Sequence, residues 1–175
     1  MHLATLYFNP RSMKARLFNS FLLFSLFGIA LSFFGMLYEG IVVIPKMLDA
    51  SRERMQFWQS FYRVINPIMF YIPLVPVATL LLLFLYVNTR KQTDKFKKQL
   101  GWAAITQVLS LVLTFYIVTQ VNLKLYFSDI GKYAGIIPLK TVLVNILSVI
   151  RLVFSAIALF LLFRSYVDTQ QRGTI

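Results

Sequence analysis

The sequence predicts an all-α membrane protein: a four-transmembrane-helix antiparallel bundle with an amphipathic interfacial helix in the first outer loop. Three observations predict it. Of 175 residues, 58% are hydrophobic and mean hydropathy is +0.71, more apolar surface than a water-soluble domain of this length can hide. Four apolar runs each reach the roughly 20 residues that a spanning helix needs. Nearly all of the 18 lysines and arginines fall in short clusters between those runs, the distribution that membrane proteins show. Residues 1–175 are read as a single domain.

The first run extends over 17–44, from the basic "RSMKAR" to Pro45, long enough to tilt or to protrude from the hydrocarbon. No cleavable signal peptide is expected there, because the run is long enough to span and no small-residue cleavage pattern follows it. The second run covers 67–87. "INP" at 65–67 marks its start, with Asn66 as N-cap and Pro67 at the first helical position. Pro73 and Pro76 should kink this helix or free carbonyls that neighbours cover. The third run covers 102–121 and the fourth 141–163. Each should be a helix, because an isolated segment in lipid can satisfy its own backbone in no other way.

The segment 47–62 lies between the first two runs. Met47, Leu48, Met55, Trp58, Phe61 and Tyr62 recur at helical spacing, while Arg52, Glu53, Arg54 and Gln56 supply a polar face. This reads as an amphipathic helix at the membrane surface, lidding the bundle. The same spacing also fits an aqueous extension of the second helix. Trp58, Trp102, Tyr62 and Tyr126 read as interfacial anchors.

Ten lysines and arginines lie on the side of the N-terminal tail, the "RKQTDKFKK" loop and the C-terminal tail, against seven in the two other loops. The positive-inside rule then places both termini in the cytoplasm. The net charge of +12 would suit a nucleic-acid partner, but the apolar runs break the charges into separate clusters without a basic face, so none is expected. Cysteine is absent and His2 is the sole histidine. Thiolate or multi-histidine metal sites and bis-histidine haem ligation therefore cannot be built within one chain. No metal and no cofactor are expected.

Two ionisable residues lie inside spans. Glu39 sits in "FFGMLYEGIVVIPK", six residues before Pro45, or roughly 9 Å of helix. Arg151 lies 11 residues beyond Lys140, near the bilayer centre. Each is costly in hydrocarbon and should face the bundle interior, where each is the other's natural counter-charge. Gly28, Ser32, Gly35 and Glu39 share one stripe of the first helix; Thr141, Asn145, Ser148, Arg151 and Ser155 share one face of the fourth. In an antiparallel bundle the outer half also collects Asn66, Thr119, Gln120 and Asn122. The candidate site is therefore Glu39, Arg151 and Asn122 for chemistry, with Asn66, Gln120, Asn145 and Ser148 as binding residues. A purely structural role for the pair, fixing register or packing, is the competing reading.

"VTQVNLKL", residues 118–125, resembles the end of the third helix in the anthrone oxygenase-like proteins, a family of small four-helix membrane proteins. That pattern is a proline, an apolar residue, asparagine, two residues, then leucine or isoleucine. Asn122 and Leu125 match it, and Gln120 stands where proline is usual. Arg151 after Asn145, and the small-residue stripe closed by Pro45, are similar to the family as well. The resemblance implies a four-helix bundle with a pocket under its outer face, and oxidation of anthrones to anthraquinones without a recognised metal or flavin. Glu39 would then act as the base, and Arg151 with Asn122 would hold the developing oxyanion. An arginine-paired carboxylate is, however, a weak base.

The function expected is that of an integral membrane protein with a polar outer-half pocket, binding or oxidising a lipophilic aromatic or quinone-like molecule. Its partners are the lipid bilayer, a lipophilic small molecule, and a membrane-protein partner or a second copy of itself. The alternatives are a non-enzymatic subunit or assembly factor of a membrane complex, and a small transporter. Against the transporter stands the lack of an inverted repeat or a broken-helix pair.

Overall fold

The computed structural model describes residues 10–43, 52–64, 67–89, 94–126 and 137–173, and all of its regular structure is helical. Helix α1 (Pro10–Tyr38) passes into a π-helical turn at Glu39–Val43. α2 is Arg52–Val64, α3 is Pro67–Asn88 and α4 is Asp94–Ile117. A second π-helical turn at Val118–Asn122 leads into the short α5 (Leu123–Tyr126), and α6 is Ile137–Gly173. Four stretches are long and apolar enough to cross a membrane: Leu17–Val42, Tyr71–Asn88, Asp94–Gln120 and Val142–Gln171. The chain is a multi-pass membrane protein.

Three helices outrun their apolar runs, α1 by starting at Pro10 rather than near 17. α4 starts at Asp94 rather than near 102, because Phe96 and Leu100 bury one face while Lys95, Lys97 and Lys98 stay exposed. An acidic residue in the first turn also favours that start. α6 continues past 163, where Tyr166 packs against the core and the Ser165 and Thr169 hydroxyls donate to the Leu161 and Ser165 carbonyls. α3 runs through both Pro73 and Pro76 as one helix. The predicted cap at Asn66, the closing Pro45 and residues 47–51 lie outside the described residues.

The helices pack in the cyclic order α1–α3–α4–α6, with α6 back against α1, and α2 rests on α5. Along the α1–α3 seam Phe21 meets Phe84, Ser25 donates to the Ala78 carbonyl, and Gly35 lies beneath Tyr71. Rising numbers thus pair with falling ones, the antiparallel sense. Gly28 lets the two helices approach closely, since a β-carbon there would come within 2.8 Å of the Ala78 side chain. The apolar core occupies one half of the bundle, built by Leu22, Ile29, Leu82, Leu85, Phe96, Leu100 and Leu162. The other half, where α1 ends and α3 begins, holds the two buried ionisable side chains, Glu39 and Arg151.

Candidate functional site

Arg151 and Glu39 meet in that second half. Arg151 Nη2 donates to Glu39 Oε2 at 3.5 Å, with the arginine side chain 7% exposed and the carboxylate 24%. Arg151 gets there because its face of α6, with Ser148 and Ser155, is buried. Glu39 gets there at the end of the small-residue stripe, at the first residue of the π-helical turn. Arg151 is held from behind: Ser110 Oγ on α4 donates to the Arg151 carbonyl at 3.3 Å.

The pair lines a cavity of about 220 Å³ whose other walls are mostly apolar: Val75 and Pro76 on α3, Leu111 and Phe115 on α4, and Leu123 on α5. Tyr71 and Thr114 add hydroxyls to the wall. Tyr71 lies in electrostatic reach of Arg151, and its hydroxyl packs over Gly35, where a β-carbon would force the phenol to shift. Ile72, Phe115, Thr119 and Leu123 line the cavity and are also exposed, so it opens sideways between α3 and α4. That seam carries the least extensive contact of the four in the ring.

The other residues expected at the site distribute unevenly. Thr119 lines the cavity, its hydroxyl donating to the Phe115 carbonyl at 2.8 Å. Gln120 is exposed and accepts from Lys124 Nζ at 2.8 Å, away from the cavity wall. Ser148 is buried and Asn145 half-buried on α6, on the N-terminal side of Arg151, and neither lines the cavity. Asn145 Oδ1 is buried without a hydrogen-bond partner among the described residues. Asn122 closes the second π-helical turn, and its side chain lies outside the described ones, as does all of Asn66. Tyr71 and Thr114 were not anticipated. Tyr71 carried no distinct sequence signal, since it lies one turn before Val75 inside an apolar run.

Comparison with known proteins gave no match to a family model, to a curated protein or to a solved structure. The site therefore has to be read from its chemistry. A carboxylate accepts, a guanidinium donates, and both face one small apolar chamber. Such a chamber can orient a ring by one polar substituent while burying the rest. Among the described residues no three side chains of metal-ligating type gather.

Proposed function

We propose that this membrane protein binds a lipophilic aromatic or quinone-like molecule in the cavity between α1, α3, α4 and α6. The observation that carries the reading is an ion pair in the wall of an otherwise apolar chamber. Small-molecule sites have this character, mostly apolar with a few placed polar groups. The volume holds one ring outright, since a cavity of about 150 Å³ already holds benzene, and the side opening leaves room for fused rings. Arg151 donates to a carbonyl or phenolic oxygen of the ligand, and Glu39 accepts from a hydroxyl. The enzymatic form of the reading rests on the resemblance to anthrone oxygenase-like proteins. In it a ring methylene flanked by arenes becomes a carbonyl, dioxygen is the oxidant, and water carries away the second oxygen atom and both hydrogens. Glu39 would take the first proton, and Arg151 would hold the oxyanion.

The test is binding of 1,4-naphthoquinone to the protein in nanodiscs, followed by quenching of intrinsic tryptophan fluorescence. Saturable binding is expected in wild type and should vanish in Leu111→Trp, which fills the chamber. Arg151→Met should weaken it about tenfold or more, the value of a hydrogen bond to a charged group. Non-saturable uptake equal in wild type and Leu111→Trp would overturn the reading.

A further inference from the structure

Most buried hydroxyls in the bundle are satisfied locally. Ser32 donates to the Gly28 carbonyl, Thr79 to Val75, Thr106 to Trp102, Thr114 to Ser110 and Ser165 to Leu161, each one turn back along its own helix. Ser155 departs from this pattern: it is fully buried, and its Oγ has no partner among the described residues. The same is true of Gln107 Oε1 on α4, although Gln107 Nε2 donates to Thr79 Oγ1 at 3.4 Å. A buried polar atom without a hydrogen bond costs about 1–3 kcal/mol, so each of these atoms calls for a partner.

The two residues lie at one level of the bundle, on packed neighbouring helices. Ser110 on α4 and Arg151 on α6 are joined side by side. Three residues back from Ser110 is Gln107, and four residues on from Arg151 is Ser155. On antiparallel helices these are steps in the same direction, of roughly 4.5 and 6 Å, so the two side chains share a level. That level falls midway along the stretches long and apolar enough to cross a membrane. Midway along the four apolar stretches lie Ile29–Ala30, Thr79–Leu80, Gln107 and Ala156–Ile157.

We propose that Gln107 and Ser155 hold a bound water molecule at the midplane, the inner end of a polar column that begins at Glu39 and Arg151. Water fits the donor set: Gln107 Oε1 accepts from it, and Ser155 Oγ can donate to it or accept from it. A cation does not fit, because Arg151 stands one turn away and the layer holds no carboxylate among the described residues. The column stops there, since Leu22, Leu82, Leu85, Leu100 and Leu162 close the next layers. The inference does not depend on what the cavity binds.

Infrared difference spectroscopy of the full chain in nanodiscs tests it, comparing samples in D₂O and in D₂¹⁸O. Wild type should show a sharp O–D stretching band that moves on ¹⁸O substitution. The band should be lost in Gln107→Leu and in Ser155→Ala but kept in Ser165→Ala, whose hydroxyl already has its own carbonyl. If Gln107→Leu fails to fold, Ser155→Ala, which deletes a single oxygen, decides alone. No such band in wild type, or its persistence in Ser155→Ala, overturns the proposal.

Discussion

Arg151 reaches Glu39 through one nitrogen at 3.5 Å, a long contact for an ion pair that must replace two hydration shells. Its value lies in what its loss would leave behind. Glu39→Gln strands a buried guanidinium, and Arg151→Met strands a carboxylate; each should cost about 3 kcal/mol, the low end for breaking a buried pair, since the carboxylate keeps some exposure. The double variant should recover part of that loss, because neither charge is then unpaired. Thermal unfolding of the four proteins in detergent measures this, and losses that simply add would remove the coupling. The two partners were legible in the sequence because a charge inside an apolar run stands out, and helical spacing put each on a face that could turn inward. Tyr71 was not legible: within an apolar run a tyrosine reads as one more hydrophobe. Only the packing of Gly35 beneath it shows where its hydroxyl goes.

Helix boundaries followed from the apolar runs to within a few residues at most ends, and failed where an amphipathic stretch or a backbone irregularity took over. The second π-helical turn is the instructive case. A 3.6-residue period carries the cavity face of α4 from Leu111 through Thr114 and Val118 toward 121–122. The wider turn instead passes it from Val118 and Thr119 to Leu123, and Gln120 turns outward to Lys124. One extra residue in the turn is invisible to periodicity. The helix α2 was legible from spacing, and its Phe57 and Phe61 rings, stacked one turn apart at 6.5 Å, remain exposed with Val64. These residues lie on the apolar arc, which we take to rest on the membrane surface. With Trp102 replaced by Phe, the fluorescence of Trp58 in nanodiscs should resist iodide. Quenching as efficient as that of free tryptophan would make α2 a solvated helix.

For the molecule as a whole, the charge asymmetry predicts that both termini and the "RKQTDKFKK" loop face the cytoplasm. A cysteine at Ser51 should react with an impermeant maleimide on intact cells, and one at Thr93 should not; the opposite pattern would invert the protein. The architecture fits a division of labour along the membrane normal. One half of the bundle is a packed apolar core, and the other gives up packing to hold an ion pair and a chamber.

If the cavity binds a lipophilic ligand as proposed, its sideways opening between α3 and α4 changes what affinity means. A ligand that enters there from the hydrocarbon has its mole fraction in lipid as its effective concentration. Adding empty vesicles at constant total ligand would dilute it and empty the site, with no change in any contact inside the chamber. A dissociation constant expressed per litre of buffer would then vary from one preparation to the next. Expressed per lipid it would be constant. Selectivity would begin before binding, since a compound that partitions poorly into the bilayer is excluded however well it would fit between Glu39 and Arg151.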